Sequence, residues 1–307
     1  MDEKVLLDHF KDRLQRDVPL SRFTTSRVGG PARFYVSAGS ASQLAEDVSF
    51  LWEQDIPLLV LGSGANLLIS DSGLDAVVVH NQAKQITIDL DADPPAVTAE
   101  SGAILTSVAR KAAEHGLTGL EWASTVPGSV GGAVYGNAGA FGSNTQANLV
   151  LAEILHRKEG YLSLTSDEMG YAYRSSALKR QPGEAVILSA RFAVEKGDPA
   201  MIESTMKEFS ERRRRTQPTG PSTGSTFKNP PGDYAGRLIE VAGLKGTRIG
   251  GVEISEQHGN FFINDGTATA QDYYDLIQYV QQTIRDSFGV ALETEIEIIG
   301  DWQTNDG

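Results

Sequence analysis

Apolar positions at Val5, Leu6, Phe10 and Leu14, joined by His9, recur near helical spacing and predict a helix across the first 20 residues. Ala32–Val36 reads as a short strand. Leu44, Val48 and Leu51 mark one face of a helix over Ser42–Gln54, and the apolar run Ile56–Leu61 reads as a buried strand. A tight loop, Gly62-Ser63-Gly64-Ala65-Asn66, follows, then strands at Leu67–Ile69 and Ala76–Val79. This first stretch reads as an α/β unit.

Beyond residue 80 the pattern changes. Gln85–Leu90 and Ala96–Glu100 alternate as strands about a turn at Pro94 and Pro95. Leu105–His115 reads as a helix stopped near Gly116. Ser124–Gly142 is Gly-rich, Leu149–Arg157 and Tyr161–Thr165 resemble a hairpin, and Ala185–Val194 is a further strand. Ile202, Met206 and Phe209 then place a helix over Pro199–Arg215 that ends before Pro218. A polar loop at Gly220–Pro230 opens the last region. It holds helices at Tyr234–Ala242 and Ala270–Phe288, strands at Arg248–Ile249 and Phe261–Ile263, and a closing strand at Glu293–Ile299. The expected organisation is α+β in three parts, 1–80, 81–200 and 201–307.

A length of 307 residues suits two or three domains, and an apolar fraction of 40% suits packed cores. Twenty-seven Lys and Arg against 40 Asp and Glu give a formal charge of −13. Such a surface repels phosphate backbones and anionic lipids, so neither nucleic acid nor a membrane surface is expected as a partner. An anionic ligand must then be held by donors concentrated locally. The absence of cysteine excludes disulfides, zinc thiolates and iron–sulfur clusters. No apolar run reaches the ~18 residues of a membrane span. The opening MDEKVLLDHFKDRL reads as a charged amphipathic helix and not as a signal peptide, so a cytoplasmic location is the expectation. No two of the five histidines stand at i, i+4, and no metal site is expected.

Glycine concentrates in three loops, Val28–Ala32, Gly62–Asn66 and Ser124–Ala140. Glycine lets backbone approach a ligand and exposes successive N–H donors, an arrangement suited to a pyrophosphate. No Gly-x-Gly-x-x-Gly follows the first strand and no P-loop lysine is present, so neither of those nucleotide sites is supported. A single such loop reads as a turn. Three of them, one seventeen residues long, point to a nucleotide.

The string Pro57-Leu58-Leu59-Val60-Leu61-Gly62-Ser63-Gly64-Ala65-Asn66-Leu67-Leu68 resembles the first FAD loop of the UDP-N-acetylenolpyruvoylglucosamine reductases (UDP-N-acetylmuramate dehydrogenases, the MurB family), and Pro127–Gly139 resembles their second. Tyr173-Arg174-Ser175-Ser176 matches their Tyr-Arg-x-Ser, Gly224-Ser225-Thr226-Phe227-Lys228-Asn229-Pro230 their Gly-Ser-x-Phe-Lys-Asn-Pro, and Leu292–Gly300 their C-terminal Leu-Glu-x-Glu segment. The matches run in the family's order from Phe23 to Gly300. The short interval from Arg174 to Ser225 is similar to the compact, second type of the family. The resemblance implies an α+β, two-subdomain FAD-binding fold of the vanillyl-alcohol-oxidase (PCMH) type at 1–80 and 81–200. A C-terminal α+β substrate-binding domain at 201–307 follows. It implies noncovalent FAD held by Gly29, Gly30, Gly62, Ser63, Gly64, Asn66, Leu67, Pro127, Gly128, Ser129, Gly131, Gly132, Asn137, Ala138 and Gly139. It also implies NADPH as reductant and a UDP-sugar as substrate, with no obligatory protein partner.

The implied reaction is reduction of an enolpyruvyl ether: hydride reaches the terminal vinyl carbon, charge develops on the adjacent carbon and its carboxylate, and a proton completes the product. Arg174 offers a permanently charged fork for the carboxylate. Glu293, Glu295 and Glu297 share one face of the closing strand, and the residues alone do not choose among them; the resemblance points to Glu295. Ser225 is the implied proton donor, with Ser222 and Thr226 as weaker neighbours and Lys228 and Asn229 near enough in sequence to assist. Tyr173, Lys228, Asn229 and His258 are implied substrate contacts. Arg212–Arg215 reads first as a solvated helix terminus suited to the helix dipole, leaving one or two of its guanidinium groups for the substrate diphosphate. Two alternatives stand beside this reading: an FAD-dependent oxidase of the same fold, and a non-catalytic nucleotide-sugar-binding protein. The absence of cysteine and of any histidine within the loops favours FAD that is not covalently tethered.

Overall fold

The computed structural model describes residues 1–303. The chain divides into two compact units that interleave in sequence. One comprises Met1–Leu14, Tyr35–Ser63 and Ala76–Arg213; the other comprises Gln15–Phe34, Gly64–Asp75 and the chain from Arg214 onward.

The first unit is built on a five-stranded antiparallel sheet in the order Gly160–Thr165, Leu149–His156, Ala185–Ala193, Ala96–Glu100 and Ile86–Asp89. Alternation explains it: Val97, Ala99, Ile154, Ile187 and Phe192 enter one core with Leu105, Val108, Ala109 and Ala112 of helix Leu105–Glu114. Strand Leu58–Leu61 pairs in parallel with Val77–His80. Helix Ala41–Glu53 starts at a Ser40 cap and buries Leu44, Val48 and Leu51 as its spacing predicts. It also buries Asp47, which is tolerated because Arg13 grips both carboxylate oxygens at 2.7 Å.

Two elements differ from the sequence expectation in this region. The first helix is Glu3–Phe10, not a helix to residue 20. Lys11 turns left-handed at φ 52, a short 3-10 turn follows, and Gln15–Pro19 is a strand. The apolar spacing had already changed there: buried Val18 and Leu20 stand two apart. The Gly-rich segment is also not wholly loop. Val130–Gly136 is a helix whose N-cap hydroxyl, Ser129, accepts the Gly132 N–H. Glycine costs a helix interior about 1 kcal/mol relative to alanine, and burial of Val130, Ala133 and Val134 offsets it here.

The second unit holds a four-stranded antiparallel sheet in the order Ser222–Ser225, Phe261–Asn264, Val252–Ile254 and Arg248–Ile249. Helix Ala270–Phe288 buries Tyr273, Leu276, Ile277, Val280 and Ile284 in the same core as Leu238 and Ile239 of helix Ala235–Val241. Its start is fixed twice: Thr269 and Asp272 form a capping box, and Asp71 accepts the Ala270 and Gln271 N–H groups at 2.9 Å each. Gly289 at φ 67 ends it. The closing strand is shorter than its alternation suggests. Only Glu297–Ile299 is regular, in parallel with Leu67–Ile69, while Glu293 and Glu295 precede it. The expected shared face of three glutamates is therefore lost. Among the described residues no helix is long and apolar enough to cross a membrane.

Burial pushes His9, His80 and His258 below the ordinary histidine pKa of 6.5. Each binds its proton more readily in the unfolded chain. The stability they confer is complete above 6.5 and is lost as pH falls through 6.5 towards their folded values. The carboxylates with shifted values, Asp89, Glu168, Asp233 and Asp265, are all held low and act only in stronger acid. Melting temperature is therefore expected to fall between pH 7.5 and pH 5.5, and His80→Phe should remove part of that slope. A melting temperature flat across this interval would contradict the assignment.

Candidate active site

In the first unit, two glycine loops meet. Gly62 follows strand Leu58–Leu61, with Ser63 next, and a Cβ at Gly62 would lie 2.3 Å from the Ser129 hydroxyl. Only glycine lets Ser129, with Pro127 and Gly128 leading into it, come so close. Gly131 is similarly pressed on Ser101, whose carbonyl accepts its N–H at 2.7 Å. Gly128 is different. It takes φ +134, and a Cβ there meets no protein atom within 4 Å, so the backbone angle alone demands glycine. Asn137 closes the short helix in the left-handed region. Its amide donates to the Ala172 carbonyl at 3.1 Å and accepts the Gln146 N–H at 3.1 Å. Ala138 accepts from the Thr145 N–H and hydroxyl, and Gly139 begins a small hairpin with Asn144.

Arg174 is carried to this loop by its neighbours. Ala172 and Ser175 pair through two backbone hydrogen bonds of 3.0 and 3.1 Å, a turn that holds Arg174 at φ 55. The Ser176 hydroxyl donates to the Tyr135 carbonyl at 2.7 Å, and Arg174 Nη2 donates to the Gly139 carbonyl at 3.2 Å. A non-glycine residue at positive φ is a strained conformation of the kind that gathers at functional sites. Tyr173 is 55% exposed, with the Arg174 guanidinium 5.5 Å from its ring centre. The hydroxyls of Ser124 and Thr125 are buried without a hydrogen-bond partner among the described residues. Closely apposed glycine backbones and spare buried donors fit a group that carries a pyrophosphate.

In the second unit Gly30 and Gly64 are pressed against protein backbone. A Cβ at Gly30 would lie 2.2 Å from the Asp71 carbonyl oxygen, and one at Gly64 only 1.9 Å from that of Phe23. Gly29, at φ +126, leads the pair. Asn66 and Leu67 meet the C-terminal segment: Asn66 Nδ2 donates to the Glu295 carbonyl at 3.0 Å, the Asn66 carbonyl accepts the Glu297 N–H at 2.9 Å, and Leu67 pairs with Glu297. Glu295 in turn donates its N–H to the Thr226 carbonyl at 2.8 Å, and Lys228 donates its own to the Glu293 carbonyl at 2.8 Å. Ser225 and Glu295 are thus held on adjoining backbones.

Lys228 and Asn229 have other engagements. The Lys228 ammonium pairs with Glu293 at 3.1 Å, and Asn229 Oδ1 accepts the Ala235 N–H at 3.1 Å. His258 Nδ1 accepts the Asn260 N–H at 3.2 Å, which leaves the proton of the neutral ring on Nε2. Sequence reasoning passed over Asn260. It is buried, its side chain bridges the Phe227 N–H and carbonyl at 2.9 and 2.8 Å, and its own carbonyl accepts from Thr226. Its signal was a polar residue directly before the apolar strand Phe261–Asn264. Among the described residues no three His, Asp or Glu side chains gather as a metal site.

A sequence profile described as an FAD binding domain matches residues 32–163, and one described as the C-terminal domain of UDP-N-acetylenolpyruvoylglucosamine reductase matches residues 216–299. The UDP-N-acetylenolpyruvoylglucosamine reductase of Caldanaerobacter subterraneus subsp. tengcongensis is 40% identical across 97% of this chain and 99% of its own. The protein of the same description from Lactobacillus johnsonii is 43% identical over 94% of this chain and 95% of its own. The chain belongs to the UDP-N-acetylenolpyruvoylglucosamine reductase family. The fold agrees: the crystal structure of the reductase from Thermus caldophilus superposes with a TM-score of 0.80 at 34% identity, covering 93% of this chain and 98% of that one. As a member of these reductases the protein is an FAD-dependent oxidoreductase of peptidoglycan precursor synthesis, and its FAD-binding domain contains both glycine loops of the first unit.

Proposed function

We propose that the protein reduces the enolpyruvyl group of UDP-N-acetyl-3-O-(1-carboxyvinyl)glucosamine to give UDP-N-acetylmuramate, with NADPH as reductant, in the cytoplasm. On this reading residues 1–80 and 81–200 serve noncovalent FAD and residues 201–307 serve the substrate. FAD supplies hydride transfer from the nicotinamide to the vinyl carbon. The chain's own residues must orient the enolpyruvyl group, stabilise the charge that develops, and deliver one proton to carbon.

The observation that carries the reading is the backbone knot of the second unit. The Thr226 carbonyl accepts the Glu295 N–H and the Asn66 side chain donates to the Glu295 carbonyl, so the backbone stretches that carry Ser225 and Glu295 adjoin, which supports assigning them to one step. Serine is a weak acid and gives up its proton only as negative charge appears on the accepting carbon. Glu295 orients that donor or, when protonated, meets the charge itself. Arg174 binds the substrate carboxylate through its fork, from a turn already fixed before any substrate arrives. Tyr173, Lys228, Asn229 and the Nε2–H of His258 complete the substrate contacts. Lys228 reaches an anion by exchanging Glu293, which is largely exposed to water and easily parted from it.

The test is anaerobic turnover. The purified protein is expected to be yellow, to release unmodified FAD on heating, and to consume NADPH only when the enolpyruvyl substrate is present. NADPH consumption that needs oxygen and ignores this substrate would place the chain among the oxidases. Tight binding of the UDP-sugar with no NADPH consumption would make it a binding protein.

A further inference from the structure

Helix Pro199–Thr216 fully buries one side chain, Ile202, yet its last turns make specific contacts within its own unit. The Phe209 ring stacks on Phe141 with centroids 4.2 Å apart and planes 3° from parallel. The Arg212 guanidinium lies 5.8 Å from the same ring centre. Arg213 Nη1 donates to the Thr125 carbonyl, and burial pushes the Arg213 pKa down. Residues 209, 212 and 213 stand at i, i+3 and i+4, so one helix face makes all three contacts. Thr125 and Phe141 lie one residue inside the two ends of the Gly-rich segment Ser124–Gly142.

Phe141 is an unusual residue for its place. It and Gly142 form the turn of the hairpin that pairs Ala140 with Ser143, at φ 53 and φ 86. A turn with positive φ at both central residues favours Asn, Asp or Gly and opposes a bulky aromatic. The ring contacts with Phe209 and Arg212 are what such a strained residue needs in order to persist. Arg213 is equally committed. Of the Arg212–Arg215 run, Arg213 has one guanidinium N–H committed to the Thr125 backbone.

We propose that Phe209 and Arg213 form a strap that fixes both ends of the Thr125–Phe141 segment and thereby sets its affinity for FAD. They are positioning residues for the cofactor loop, and the proposal rests on the reading of that segment as one. Freed at either end, the segment samples more conformations, and binding must order it again before its N–H groups converge on a ligand.

Holoenzyme variants test this with two readouts: the rate of FAD release on dilution, followed by flavin fluorescence, and hydrogen exchange of amides 125–141. Arg213→Ala is expected to speed exchange across the segment and to speed FAD release by about tenfold, as befits loss of a half-buried charged hydrogen bond. Arg213→Lys keeps an N–H donor and should recover most of both. Phe209→Ala should loosen the Phe141 end, and it carries both readouts should Arg213→Ala fail to fold. Unchanged exchange in Arg213→Ala and Phe209→Ala would overturn the strap. Gly128→Val separates the two layers of the argument. If it sheds FAD while the strap variants retain it normally, the strap has no part in binding. If Gly128→Val and the strap variants all retain FAD although exchange rises, the segment is not a cofactor loop and the underlying reading fails.

Discussion

Ser225→Ala is expected to leave flavin reduction by NADPH nearly intact and to slow reoxidation by the enolpyruvyl substrate by about 10²–10⁴-fold, the usual worth of general-acid help. The two half-reactions differ in what they require of the protein. The first needs no proton delivered to carbon; the second needs hydride and proton together. The variant should fold normally. Ser225 ends a strand, paired with Phe261, and its backbone is held by the neighbouring hydrogen bonds of Thr226 and Asn260 rather than by its own hydroxyl. Stopped-flow absorbance of the flavin resolves both steps. Reoxidation at the parent rate would remove Ser225 from the chemistry. Equal loss in both steps would mean that Ser225 supports the flavin site. The neighbouring Thr226 hydroxyl is fully buried and has no hydrogen-bond partner among the described residues, so Thr226→Val serves as a control with little expected effect on either step.

Elements whose signals are local were legible. Helix Ala270–Phe288 carried its cap and its terminal glycine in its own sequence, and the hairpin of Leu149–His156 with Gly160–Thr165 carried its alternation. Elements that depend on distant partners were not. Helix Val130–Gly136 contains three glycines and exists because its apolar side is buried. The Glu293–Glu297 alternation does not continue as a strand because its first half meets Thr226 and Lys228 through scattered single contacts. The grouping of Gln15–Phe34 with residues far down the chain rests on bonds such as that from Asn264 Nδ2 to the Ser26 carbonyl, which no local period encodes. The candidate site divides the same way. Glycine composition marked the loops, but it did not distinguish Gly30 and Gly64, whose side chains are excluded by protein backbone, from Gly128, where only the backbone angle excludes one.

Arg174→Ala is expected to lower kcat/KM for the enolpyruvyl substrate by about 10²–10³-fold, the scale of removing one partner from a desolvated charge pair. Arg174 combines a functional side chain with a strained backbone, and three replacements separate these. At φ 55 glycine is at ease and alanine is not. Arg174→Gly therefore removes the guanidinium while relaxing the turn, and should be no less stable to heat than Arg174→Ala. If the side chain carries the function, the glycine and alanine variants lose activity to the same extent. Arg174→Lys keeps the charge but not the fork, and should fall between them and the parent. The loss should appear in both KM and kcat, because the carboxylate is present before as well as during reduction. Flavin content must be read first, since Arg174 Nη2 also holds the Gly139 carbonyl of the segment proposed to bind FAD. A variant that retains FAD, reduces it with NADPH at the parent rate and fails only with substrate locates Arg174 on the carboxylate. Recovery of activity in Arg174→Gly would show that the turn, and not the guanidinium, was what the reaction required.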